Sequence, residues 1–258
     1  MIMTSDNLFP SPLNILGVNV TPFDSYAHAA WCVEQAIRTR RKLFCVAINP
    51  EKIYRALHDP NLLDLLGRAD MGICDGVGIV AAARILENAR LARCTGVDLF
   101  MTLTAVAAEK GWRVFLLGAS PDSNRSAYEK LLEKHPTIQI AGRRDGYFEN
   151  SDEVVEEINA ARPDLLFVAM GSPKQEYWIH RHRGQLEVPF CMGVGGTFDV
   201  LSGKVKRAPR FFRKTGTEFL YRLIQEPKRW RRQVLLPLFA LRVFRARLLG
   251  GRSREVRA

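Results

Sequence analysis

The chain has 258 residues, 47% of them hydrophobic, enough for one large core or a core with an appendage and unlike a disordered or low-complexity polypeptide. The net charge is +11, yet residues 200–258 hold 17 Lys and Arg against 3 acids while residues 1–199 hold 21 bases against 24 acids, so one end carries the positive field and points to a polyanionic partner, nucleic acid or an anionic membrane surface. No run reaches the roughly 18 apolar residues of a spanning helix, the first residues lack the basic and apolar regions of a secretion signal, and the five scattered cysteines without a CxxC pair are expected to be reduced, mostly buried thiols of a cytosolic protein.

Residues 14–20 (NILGVNV) predict a short strand or the start of a hairpin, and Asp24-Ser25 can cap a helix reaching about Thr39. Leu43 to Ile48 is a continuous apolar run of the kind that forms a buried parallel strand. It ends at Asn49-Pro50, an N-cap and a first-turn proline, with Asn49 either a plain cap or a polar pocket residue. A second apolar strand, Met71 to Cys74, runs into Asp75-Gly76-Val77-Gly78 and a helix over Ile79 to Leu86. A carboxylate where a strand gives way to a helix is an N-cap, a group presented to a cleft, or both. Arg93 stands just before a long helix that Thr95 or Asp98 can start, a place suited to a phosphate.

Val114 to Leu117 predicts a strand that Gly118-Ala119-Ser120-Pro121 turns into a helix ending near His135. Ile138 to Ala141 predicts another strand, and Ser151 or Asp152 can cap a helix to Ala160. The apolar run Leu165 to Met170 ends at Gly171, after which Ser172-Pro173 supply a cap and first-turn proline, with Lys174, Gln175 and Glu176 at the helix start. Phe190 to Val194 is a strand closing on Gly195 and Gly196, with Asp199 just beyond. Strand and helix therefore alternate from residue 43 to about 195, which predicts an α/β fold with a Rossmann-like, doubly wound parallel sheet.

Past Gly203 the composition changes, so the expected division is a catalytic α/β domain over 1–203 and a basic, amphipathic helical appendage over 204–258. Arg207, Arg210, Arg213, Arg222, Arg229 and Arg232 flank apolar and aromatic residues at helical spacing. Such segments bind anionic lipid at the interface; the other reading is that their apolar residues pack on the main domain and leave a solvated basic rim.

Eight stretches resemble the WecG/TagA/CpsF family of glycosyltransferases (glycosyltransferase family 26), in the family's order: AINPEK, ADMGICDGVG, RCTGVDL, FLLGASP, DGYF, VAMGSPKQE, MGVGGTFDVLSGKVKRAP and EFLYRLIQEPKRWRRQ. Two of them, VAMGSPKQE and MGVGGTFDVLSGKVKRAP, are most similar to the branch that transfers N-acetylmannosaminuronic acid in enterobacterial common antigen synthesis. Ala47 also matches that branch, the teichoic-acid branch having threonine there. The resemblance implies an inverting transfer from a UDP-sugar to a polyprenyl-diphosphate-linked saccharide at the cytoplasmic membrane face, without a metal or other cofactor. N-acetylmannosaminuronic acid is the expected sugar, with UDP-N-acetylmannosamine or UDP-glucose as alternative donors.

By the same resemblance Asp75 is the general base, Arg93 stabilises the diphosphate and Gln175 contacts the sugar or acceptor. Asn49, Gly76, Gly171, Lys174 and Glu176 then belong to the substrate pocket, Gly118, Gly195, Gly196 and Asp199 to the nucleotide, and the six arginines above to the membrane or the acceptor diphosphate. Self-association is also expected, since family members associate. The residues themselves agree on the metal: there is no DxD pair, and His180 and His182 at spacing two face different sides of a helix. A nucleic-acid-binding protein would need exposed sheet aromatics or a reader motif, and neither is found. A nicotinamide-dependent dehydrogenase would need GxGxxG at the first strand turn, which is missing.

Overall fold

The computed structural model describes residues 9–225, 227 and 230–255, with the side chains of 213, 214, 222 and 250–255 outside the description. A hairpin of β1 (Leu13–Ile15) and β2 (Val18–Val20) precedes α1 (Tyr26–Thr39), which Ser25 caps. Then follow β3 (Leu43–Ile48), α2 (Pro50–Ala56), α3 (Pro60–Gly67), β4 (Met71–Cys74), α4 (Val77–Glu87), α5 (Gly96–Lys110) and β5 (Arg113–Gly118). The chain continues through α6 (Pro121–Lys134), β6 (Gln139–Arg144), α7 (Ser151–Ala161), β7 (Leu165–Ala169), α8 (Lys174–His182), β8 (Phe190–Gly193) and α9 (Thr197–Leu201). The described part of the tail carries four helices, α10 (Arg210–Lys214), α11 (Glu218–Gln225), α12 (Trp230–Gln233) and α13 (Leu235–Glu255).

Six strands form one parallel sheet in the order β4-β3-β8-β7-β5-β6. Alternate side chains of β3 enter different cores: Phe44, Val46 and Ile48 join one face with α2, α3, α4, α7 and α8, while Leu43 and Cys45 join the other with α1, α5 and α6. The sheet is thus doubly wound, as the sequence pattern predicts.

Several helix starts differ from expectation in the residue that caps them. Asn150, rather than Ser151 or Asp152, caps α7 through its side chain, because it is the first residue whose oxygen reaches a free N–H of the opening turn. Ser172 does not cap α8; the Ser172–Pro173 bond is cis and Pro173 takes the cap position without a side-chain bond. Gly76, not Asp75, occupies the cap position of α4, at φ +112°, a backbone conformation that favours glycine.

The tail is built onto the sheet's helices. α13 packs on α2 and α4 and inserts Phe239 and Val243 into the core, where both are buried. Gly216, in the turn between α10 and α11, sits so close to the start of α4 that a Cβ there would lie 2.2 Å from Val77 Cγ1. Leu241, Leu248 and Leu249 face outward instead, as do Phe211, Leu220 and Ile224. The tail therefore combines the two expected arrangements, a packed face and an exposed apolar face. The expected domain boundary at Gly203 falls in the loop between α9 and α10.

Phe239→Ala is expected to cost about 3 kcal/mol or more in stability, whereas Leu241→Ala, at a position 64% exposed, changes it by less than about 0.5 kcal/mol. Chemical denaturation of the two variants measures the difference.

Candidate active site

Parallel strands send every crossover out at the same edge, and here that edge frames a cleft of about 660 Å³. Its floor comes from the ends of four adjacent strands. Asn49 follows β3, Asp75 and Gly76 follow β4, Gly171 and Gln175 follow β7, and Gly195, Gly196 and Asp199 follow β8. Register explains the meeting of the first two: Ile48 pairs with Cys74, and the Asp75 N–H donates to the Ile48 carbonyl at 2.8 Å. Arg93 arrives by a second backbone bond, from the Cys94 N–H to the Cys74 carbonyl at 2.8 Å. Residues far apart in sequence, Asp75 and Arg93, are in this way tied to one rim.

Helix starts point at the same space. Asn49 Oδ1 accepts from Lys52 N at 2.8 Å, and Thr95 caps α5 beside Arg93 and Gly96. Free N–H groups of such first turns favour an anionic ligand. Asp199 is held from outside the cleft, its Oδ1 accepting from Ser123 Oγ at 2.8 Å.

The tail supplies the opposite wall. Arg207, Glu218, Phe219, Arg232, Gln233, Leu236, Phe239 and Phe244 line the cleft. Arg207 is anchored on α5 by an ion pair with Asp98, and Arg232 lies 3.7 Å from Glu51 on α2. Arg93 has no acidic partner within ion-pair distance among the described residues, and none of them form a group of three His, Cys, Asp or Glu side chains that could hold a metal ion.

Three expected site residues lie elsewhere. Lys174 is exposed and off the cleft wall, because the helical turn at the start of α8 directs Gln175 inward and its neighbour outward. Gly118 is also off the wall; its tight backbone at φ +108° serves packing, since a Cβ there would meet the Ala169 carbonyl at 2.6 Å. Glu176 lies beneath the cleft rather than on it, fully buried. Of the tail arginines, Arg210 is exposed and away from the cleft, Arg229 lies outside the described residues, and the side chains of Arg213 and Arg222 are likewise outside them.

Lys52 is the cleft residue that spacing does not reveal. It is 5% exposed, lines the cleft, and its Nζ donates to Glu176 Oε1 at 2.8 Å across 124 residues of sequence. It lies within the AINPEK stretch, where the sequence reading singles out Asn49 and not Lys52. Burial alone would raise the Glu176 carboxyl, but the Lys52 charge and hydrogen bonds from Lys52 and Gln175 outweigh it and hold the group below its ordinary 4.5.

Residues 13–253 match the glycosyl transferase WecG/TagA/CpsF family. The chain belongs to that family. It is therefore a glycosyltransferase. The N-acetylglucosaminyldiphosphoundecaprenol N-acetyl-beta-D-mannosaminyltransferase of Bacillus subtilis (strain 168) is 39% identical over 198 residues, 77% of each chain. The enzyme of the same name from Staphylococcus aureus (strain MRSA252) is 36% identical over 213 residues, 82% of this chain and 84% of its own.

A folded-state pKa below the unfolded value means that the Lys52–Glu176 pair stabilises the chain above pH 4.5, and that this contribution is lost as pH falls through the depressed value. In Lys52→Met the main influence opposing burial is gone and only the hydrogen bonds from Gln175 and Ser172 still favour the carboxylate, so its pKa rises and stabilisation is lost on the alkaline side. The loss in Tm for Lys52→Met is expected to be larger at pH 8 than at pH 5, which thermal unfolding at the two values measures.

Proposed function

We propose that this glycosyltransferase moves a sugar of N-acetylmannosamine configuration from a UDP donor to a polyprenyl-diphosphate-linked saccharide, with inversion and without a metal ion. The observation that carries the reading is the joining of Asp75 and Arg93 at one rim of a cleft of nucleotide-sugar size. In the step, the acceptor hydroxyl oxygen attacks the anomeric carbon while its proton passes to Asp75. The bond from that carbon to the β-phosphate oxygen breaks, and its electron pair leaves with UDP. Arg93 and the helix starts stabilise the charge that develops there.

Among the described residues Lys52, Arg207 and Arg232 each have an acidic neighbour and Arg93 has none within ion-pair distance, which suits Arg93 to the diphosphate. The relatives from Bacillus subtilis and Staphylococcus aureus carry N-acetylmannosaminyl transfer to an N-acetylglucosaminyl diphospholipid in their names. A second reading, the C6-oxidised uronate, is favoured by Ala47 on the cleft wall, the residue shared with that branch.

A panel of UDP-sugars with a synthetic prenyl-diphosphate-linked GlcNAc acceptor, run in EDTA, tests donor, acceptor and metal together. Transfer from UDP-N-acetylmannosamine is the expected result, with Asp75→Asn keeping UDP binding while turnover falls by about 10²- to 10⁴-fold. No transfer from any donor, or full turnover by the Asn variant, overturns the reading.

The lipid-linked acceptor places the work at a membrane surface, and we assign the protein to the cytoplasmic face as a peripheral protein. No described helix is long and apolar enough to cross a membrane. Exposed Ile224, Leu241, Leu248 and Leu249 beside Arg242, Arg245 and Arg247 suit insertion among anionic headgroups. Sedimentation with anionic vesicles is expected, weakened by salt and by the double change Ile224→Glu/Leu248→Glu. Tight RNA binding without vesicle binding would reverse the assignment.

A further inference from the structure

Below the cleft a chain of polar contacts joins three of its walls. Lys52 Nζ donates to Glu176 Oε1 at 2.8 Å, Gln175 Nε2 donates to the same oxygen at 2.9 Å, and Gln175 Oε1 accepts from the Gly195 N–H at 2.9 Å. All three side chains are buried, Glu176 completely. Every link is a strict donor meeting a strict acceptor. An ionised carboxylate only accepts and a backbone N–H only donates, so the Gln175 amide can sit one way round alone: nitrogen to Glu176, oxygen to Gly195. Lys52 supplies the positive charge that keeps Glu176 an acceptor; it is the charged group that reaches Glu176, Gln175 and Ser172 beside it being neutral. Gly193 makes the room. A Cβ at that position would stand 2.5 Å from Gln175 Nε2, so the amide can cross the end of β8 only over a glycine.

The far end of this chain is the turn that matters for the ligand. Gly195, at φ +56°, and Gly196 line the cleft, and the Gln175 oxygen is what fixes the Gly195 N–H. We propose that Lys52 and Glu176 are positioning residues: by setting the orientation of Gln175 they hold the Gly195–Gly196 turn in the shape that receives the UDP part of the donor. The inference rests on the donor reading above and adds to it a pair of residues that need not touch the substrate. Gln175 in this role acts mainly through Gly195, its amide already spent on two protein partners.

Single substitutions here strand a buried charge and confound folding with function. Two double variants avoid this. Lys52→Met/Glu176→Met removes both charges and the acceptor; Lys52→Met/Glu176→Gln removes both charges and keeps an amide oxygen that can accept from Gln175. Circular dichroism and Tm establish that both are folded, calorimetry gives UDP affinity, and donor kinetics separate KM from kcat. The Met/Met variant is expected to bind UDP about tenfold more weakly or worse and to raise the donor KM, and the Met/Gln variant to stay within about threefold of the unsubstituted chain. Should a double variant not fold, Gly193→Ala displaces the Gln175 amide while leaving the ion pair in place, and the same loss of UDP affinity is expected. Parent-like UDP affinity and KM in Met/Met, or in Gly193→Ala, overturns the positioning role alone. Absence of UDP binding by the unsubstituted chain overturns the donor reading itself.

Discussion

The site depends on a constraint of the sheet: when all strands run the same way, every loop that leaves a strand and every helix that begins after it opens on one edge. Four neighbouring strands use that edge here, and the hydrogen-bond register sets which residues meet. Ile48 opposite Cys74 makes Asn49 and Asp75 neighbours, and Val168 opposite Gly193 sets the ends of β7 and β8 side by side, where Gln175 reaches Gly195. A slip of one residue in either pair would turn these side chains to the other face of the sheet. The apolar packing on both faces is thus also what holds the chemistry in register.

The polar contacts under the cleft converge on one oxygen of Glu176, Oε1. A buried carboxylate is costly unless a cation and donors meet it. Glu176 has Lys52 and Gln175, and the three connect helices that follow β3 and β7 to the turn that follows β8. The network is small, but it touches three of the four strands that floor the cleft. The fourth, β4, is joined by backbone bonds from Asp75 to Ile48 and from Cys94 to Cys74.

Much of this could be read from the chain. β3, β4 and β7 are unbroken apolar runs ended by Asn-Pro, Asp-Gly or Gly, signals that follow from burial on both faces and from backbone geometry. β6 extends to Arg144, past the expected end at Ala141, because an edge strand can carry Arg143 and Arg144 toward solvent. The division of α2 from α3 at Pro60 is missing from the expected elements, and the two readings of the tail, lipid binding or packing on the main domain, leave open which residues of α13 turn inward, here Phe239 and Val243. Asp75, Arg93, Asn49 and Gln175 were marked by motif. Lys52 was not, since its partner lies 124 positions away and neither residue departs from an ordinary amphipathic helix start.

Phe244 belongs to two surfaces at once. It lines the cleft, yet more than half of it is open to solvent, on the helix that also exposes Leu241 and Leu248. One side chain therefore counts twice: a change at Phe244 alters a wall of the cleft and the exposed face of the tail together, so neither surface can be varied at that position without the other.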